Sequence, residues 1–195
     1  MAAADPDLQA LRDAIASGDP SRAMPALASL REVPEPEATP LLLLGLEQTT
    51  FMIRSLACAG LGMKCSPQGW QALQVALGDG DANVRAEAAN ALASYGVEQA
   101  WPLLRQAFVA DSHWLVRCSI LAALAEVTEM TDTCLLDLAQ LALADDDGTI
   151  RVGGAEILGR LVREGASAEA RSLLSALQSD PDHRVVATAL NGLQA

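Results

Sequence analysis

The chain reads as all-α, a right-handed α-solenoid of about six helix pairs, on three observations. A helical unit recurs at a spacing of roughly thirty residues, each copy carries the same two apolar columns, and no segment alternates apolar and polar residues with period two. The unit is clearest from Asp81 to Gly96, DANVRAEAANALASYG. Asp81 suits a helix N-cap, and Gly96 follows the last apolar turn, where a left-handed residue ends a helix. Between them Val84, Ala88, Ala91 and Leu92 fall at i, i+4, i+7 and i+8, an apolar stripe of mostly small residues. One such helix cannot bury its stripe alone, so similar helices must stack on either side.

Taken in order, the first repeat is worn. Leu8, Leu11 and Ile15 form its first column and Ala26 with Leu30 its second, with Arg22 where later copies carry an aliphatic marker, as suits a polar end cap. The segment Val33 to Pro40, VPEPEATP, reads as a short Pro-rich turn into the second repeat. From there the second helices carry Ile53-Arg54, Val84-Arg85, Val116-Arg117, Ile150-Arg151 and a degraded Val185-Val186, in steps of 31, 32, 34 and 35 residues. Four positions after each marker stand Ala57, Ala88, Ile120, Gly154 and Ala189, and eight after stand Leu61, Leu92, Leu124, Leu158 and Leu193. The first helices supply Thr39, Leu42, Leu46; Trp70, Leu73, Leu77; Trp101, Leu104, Phe108; Leu135, Leu138, Ala142; and Ala170, Leu173, Leu177. The repeats therefore span about residues 5–33, 34–64, 66–96, 97–127, 131–163 and 165–195, one domain over 1–195. Asp79 and Asp81, Asp145 and Asp147, and Asp180 and Asp182 precede their markers as turn and cap residues, while Asp111 keeps only the first position. Pro102 falls in a first helical turn, where a missing N–H is tolerable, and Pro25 shortens its helix.

Composition narrows the function classes. Hydrophobic residues are 51% of the chain and aromatics 3%, which implies an aliphatic core. A net charge of −12 repels phosphate backbones, so nucleic acid is not an expected partner. Cys58, Cys65, Cys118 and Cys134 form no CxxC pair, which points to reduced thiols rather than to a zinc site or a disulfide framework. No signal peptide or membrane span is evident, so the expectation is a soluble cytoplasmic protein without membrane insertion.

The form D-x-D-x-x-[VI]-R-x-x-A-A-x-A-L, with a period near 33, resembles the short HEAT-like repeats of the cyanobacterial phycobilin lyase family. The T-P-L-H and W-x₂-L-G-x₂-Y signatures of ankyrin and TPR arrays are absent. The resemblance implies a non-catalytic scaffold or chaperone for a helical partner, a phycobiliprotein subunit or another HEAT-like subunit, in bilin attachment, assembly or degradation. It also implies that any bilin is carried by the partner, that no cofactor is intrinsic, and that catalysis, if any, is lyase-type within a complex. A different class of reading makes the protein an assembly helper, in which Cys118 or Cys134 completes an iron–sulfur or metal site with a partner.

Two sets of residues carry the candidate roles. Arg54, Arg85, Arg117 and Arg151 each follow a marker close to an acidic turn, and with Asp79, Asp111 and Asp145 they read as a structural ladder tying repeat to repeat. Two positions before each marker stand Phe51, Ala82, Trp114, Gly148 and His183 at the helix starts, and two after stand Ser55, Ala86, Cys118, Val152 and Ala187. Phe51 and Trp114 are the aromatic anchors expected of a binding surface, with Ser55, Ala86 and Cys118 as a small-residue groove along the second helices of repeats two to five. No nucleophile constellation is found, because His113 and His183 lie two repeats apart, and no metal site is expected. Gly153-Gly154, inside a helix, reads as a point of close helix contact rather than as a phosphate loop.

Overall fold

The computed structural model describes residues 7–125, 127, 129–165 and 167–194. Residues 5, 6 and 195, counted in the first and last repeats, lie outside them, as do positions 126, 128 and 166. The described residues form twelve α-helices and no strand, an all-α architecture of successive helix pairs of the α-solenoid class. In order these are α1 (Leu8–Ala16), α2 (Pro20–Ser29), α3 (Glu35–Leu46), α4 (Phe51–Lys64), α5 (Pro67–Ala76) and α6 (Ala82–Ala93). They continue as α7 (Val97–Ala110), α8 (Trp114–Ala125), α9 (Asp132–Leu143), α10 (Gly148–Arg163), α11 (Ala168–Ala176) and α12 (His183–Leu193). Single 3₁₀ turns, Leu30–Glu32 and Leu177–Ser179, follow α2 and α11. Packing divides the chain into two compact units, Met1–Leu104 and Arg105–Ala195.

In the first unit α4 is central, packing on its own first helix α3 and on the second helices α2 and α6. Ile53, Ala57 and Leu61 on α4, and Val84, Ala88 and Leu92 on α6, are all fully buried. In the second unit α10 plays the same part, packing on α9, α8 and α12. There Val116, Ile120 and Leu124 on α8, and Ile150, Gly154 and Leu158 on α10, are buried as well. On α12 Val185 and Ala189 are buried, while the terminal Leu193 is only half-buried.

Glycine allows the second helices to approach closely. A Cβ on Gly62 of α4 would stand 2.8 Å from both the Cα and the Cβ of Ala91 on α6, and one on Gly192 of α12 would stand 3.0 Å from the Cα of Gly159 on α10. Gly62 and Gly159 occupy the same place, nine residues past their markers. Gly62→Val should therefore push α4 off α6 and cost about 1–3 kcal/mol, read as a lowered thermal midpoint, because the obstacle is backbone and cannot rotate away. An unchanged midpoint would mean that the helices are farther apart. Gly154 serves a similar contact with α9, since its Cβ would meet the Cβ of Ala142 at 2.9 Å and Ala139 O at 3.0 Å.

Three expectations are corrected. The buried stripe of four first helices departs from the expected column by one position in places: Gly45 on α3, Gly69 and Ala76 on α5, Val97 and Ala100 on α7 and Leu174 on α11 are buried, while Leu46, Trp70, Leu77, Trp101, Leu173 and Leu177 are half-exposed. On α5 the reason is local: Trp70 is too large for the seam and tilts onto Tyr95 at a ring-centroid distance of 5.3 Å, while Gly69 leaves room for Tyr95 Oη, which donates to Leu61 O at 3.1 Å. The segment 33–40 is mostly helix, because Pro36 sits in the first turn of α3, where its missing N–H is harmless, and Glu35 and Glu37 face the positive helix end. Pro25 and Pro102 both lie inside their helices, Pro102 beyond the first turn of α7, on exposed positions where the ring meets solvent.

Candidate functional site

Each second helix from α4 onward starts at the position two before its marker, so Phe51 opens α4 and Trp114 opens α8. Both rings are unusually bare for aromatics, at 38% and 50% exposure. Trp114 stacks on His113, at a ring-centroid distance of 6.2 Å. Of the small-residue column, Ser55 and Cys118 are half-buried, but Ala86 is only 6% exposed and so presents little surface to any partner. In the second unit this column lines an open groove of about 460 Å³ between α8 and α10. Cys118, Leu121, Ala122 and Ala125 form one wall, and Thr149, Val152, Gly153 and Glu156 the other. In the first unit α4 exposes Phe51 and Met52 at its start and Met63 near its end.

Arg54, Arg117 and Arg151, which follow their markers, each hold two turns at once. Arg54 donates from Nε and Nη2 to the two carboxylate oxygens of Asp79, both at 2.8 Å, and from Nη1 to Gln48 O and Thr49 O at 3.0 and 2.8 Å. Arg151 repeats this on Asp180 at 2.9 Å for both bonds, with Nη1 on Asp145 O and Asp146 O at 3.0 Å. Arg117 reaches Asp145, its Nη2 donating at 3.1 Å; its Nε lies 2.6 Å from Oδ2 but is too bent for a hydrogen bond, so the Nη2 bond carries the directional part. Arg117 Nη1 and Arg85 Nη1 donate to Asp111 O and Asp79 O, both at 2.9 Å. The partner carboxylates also organise their own turns: Asp79, Asp145 and Asp180 each accept from the N–H two residues on at 2.8 Å, and Asp111 does the same for His113. The Arg54 guanidinium, with the Asp81 N–H, holds the Asp79 carboxyl below the usual carboxylate range. Arg151 does the same for Asp180, a residue that the repeat frame places five before its marker but that is easily passed over among the ladder residues.

The Cys58 and Cys118 thiols are chemically quiet. Burial, with lesser contributions from Glu87 and Asp79, pushes Cys58 up to about 12, and burial with the charge of Asp147 raises Cys118. Cys118 therefore rests as a protonated thiol at neutral pH, a poor nucleophile and an unready ligand. Cys65 is exposed and caps α4 in a left-handed conformation, φ 50°, where a glycine would be usual. Among the described residues no three His, Cys, Asp or Glu side chains converge as a metal site would require. No helix among them is long and apolar enough to cross a membrane.

The family model described as HEAT repeats matches residues 39–125, the stretch from α3 through α8. Comparison with curated proteins gives no match. Among solved structures, an engineered protein is similar with a TM-score of 0.57 at 19% identity, covering 97% of this chain and 96% of that one. The complex of CpcE and CpcF of phycocyanin lyase from Nostoc sp. PCC7120 is similar with a TM-score of 0.61 at 20% identity, covering 100% of this chain and 79% of that one. At these identities the likeness is one of fold, a helical-repeat architecture in which residues 39–125 match the HEAT-repeat model.

Proposed function

We propose that this protein is a non-catalytic scaffold that holds a helical protein on the second-helix face of its repeats. One observation carries the reading: the groove of about 460 Å³ between α8 and α10, in whose lining Cys118, Ala122, Ala125 and Gly153 are small, with the half-exposed Trp114 at the start of α8. Small residues let a partner backbone come close, and a bare tryptophan beside them is the kind of anchor on which binding energy concentrates. The finer form of the proposal takes the partner to be a phycobiliprotein-type subunit, or a second HEAT-like subunit, and leaves any bilin on the partner. The likeness to the phycocyanin lyase complex supports that choice. In this reading the six repeats act as one cytoplasmic binding domain, and the arginine ladder serves architecture rather than ligand binding.

The test is binding of a purified phycocyanin subunit, followed by fluorescence or calorimetry, to the parent chain and to Trp114→Ala. Truncating a buried interface tryptophan costs roughly 2 kcal/mol or more, so affinity should fall at least about tenfold while the melting temperature stays nearly unchanged. If Trp114→Ala instead lowers stability and spares binding, the ring is a staple within its repeat and the binding face lies on the first helices.

A further inference from the structure

A second cavity, of about 240 Å³, lies in the first unit between α2 and α4, and its character differs from that of the α8–α10 groove. Leu27, Leu30, Leu42, Leu56, Gly60 and Met63 line it. Leu27, Leu30 and Leu42 are at most 3% exposed and make the floor, while Met63, 55% exposed, stands at the opening. Gly60 keeps the floor in place, because a Cβ there would collide with Leu42. Two cations, Arg31 and Lys64, complete the lining.

The charge at this mouth runs against the −12 of the whole chain. Lys64 Nζ donates to Arg31 O at 2.8 Å and to Val33 O at 2.6 Å, so the ammonium is fixed in position by neutral carbonyls at the end of the 3₁₀ turn. That explains its placement but does not cancel its charge, and no carboxylate among the described residues lies within ion-pair distance of it. Among the described residues Arg31 makes one ion pair, with Glu32 at 4.0 Å, and both side chains are largely in solvent. A pre-positioned cation with no carboxylate at ion-pair distance, beside a mostly apolar pocket, selects a ligand with the complementary pattern. The size selects further. Sites for drug-sized ligands run to about 300–1,000 Å³, whereas an engineered cavity of about 150 Å³ accepts benzene, so this one suits a single large side chain.

We propose that the α2–α4 pocket is an anchor site for a partner helix that inserts one large apolar side chain and presents a carboxylate about one turn away to Lys64 and Arg31. The inference rests on the scaffold reading and adds to it the chemistry of one segment of the partner. That segment is apolar and acidic, although the protein as a whole is anionic.

The probe is a series of straight-chain carboxylates from butanoate to dodecanoate, added below their micelle concentrations to the full chain labelled with ¹³C at the methionine methyls. Met63 is one of 5 methionines, and Met63→Leu assigns its signal. The Met63 methyl should shift saturably, and octanoate should bind about threefold to fivefold tighter than octylammonium at low salt, as expected of one exposed ion pair. Affinity should climb over the first members of the series and level off near octanoate, once a side-chain-sized pocket is full. Arg31→Glu, on an exposed side chain with no structural bond, should erase the preference for the acid, and Ala59→Leu, which fills the pocket, should abolish the Met63 shift. An absent or non-saturable shift, or equal binding of acid and amine, overturns the proposal. So does an affinity that keeps rising about fourfold per added methylene to dodecanoate, because the site would then serve a free fatty acid. The Trp114→Ala experiment reads the other unit, so either result can fail while the other stands.

Discussion

Leu92→Asp should abolish the cooperative unfolding transition or lower the unfolding free energy by more than about 4 kcal/mol. Leu92 is fully buried on α6, a helix that packs on both α4 and α5. Truncating such a leucine to alanine already costs about 2–5 kcal/mol through lost transfer energy and the cavity left behind, and aspartate adds an unpaired charge in the seam. A protein of this size has only about 5–15 kcal/mol in hand, so the variant should be largely unfolded or melt far below the parent. Val75→Asp is the control: the same substitution on α5, at a residue 79% exposed, should move stability by no more than about 0.5 kcal/mol. Urea titrations followed by circular dichroism would separate the two. Equal midpoints for Leu92→Asp and Val75→Asp would sink the packing frame.

The second helices are legible in the sequence because one residue type returns at one place. Ile53, Val84, Val116, Ile150 and Val185 are each at most 1% exposed, and a column that must be buried in every repeat tolerates little besides an aliphatic side chain. The first helices are less legible because only one face of each meets the array, and wide residues can sit at its edge. Trp70 and Trp101 occupy such edges, while the seam is filled by Gly69 and Ala100, whose small size makes them inconspicuous. The left-handed end of α4 hides in the same way, because Cys65 stands where a glycine would have marked it.

The candidate site is legible only in its register. Counting two residues back from each marker locates Phe51 and Trp114 at helix starts, yet their exposure depends on what the neighbouring turns leave uncovered. The column two residues after the marker does not behave uniformly, since Cys118 lines a groove whereas Ala86 is buried. The α2–α4 pocket is invisible to the repeat pattern, because it depends on the worn first repeat. Its cationic mouth comes from Arg31 in the 3₁₀ turn, and from Lys64 reaching back across more than thirty residues to carbonyls that no side-chain motif records.

Arg54→Met should cost about 2–3 kcal/mol at neutral pH, and the penalty should shrink in acid. The substitution keeps the aliphatic stem but removes a bidentate, charge-assisted pair with Asp79 and two bonds to the carbonyls of Gln48 and Thr49. Breaking a fully buried pair costs about 3–5 kcal/mol, and with 18% and 15% of the two side chains exposed, water recovers part of that. The sign of the pH dependence follows from Asp79. Its folded carboxyl titrates below the ordinary value, mainly because Arg54 donates to it, so the unfolded chain binds the proton more readily. The stabilisation is therefore complete above the unfolded value, about 3.9, and fades as pH falls through the lower folded value. Denaturation at pH 7 should show the full gap between parent and Arg54→Met, and the gap should narrow progressively below about pH 4. The raised Arg54 guanidinium adds nothing to this window, since its titration lies at the alkaline extreme. Arg54→Met combined with Asp79→Leu should recover much of the loss by removing the stranded carboxylate as well. If the gap is the same at pH 7 and in acid, the cost of Arg54→Met is lost packing of the stem and the pair with Asp79 does not tie the repeats together.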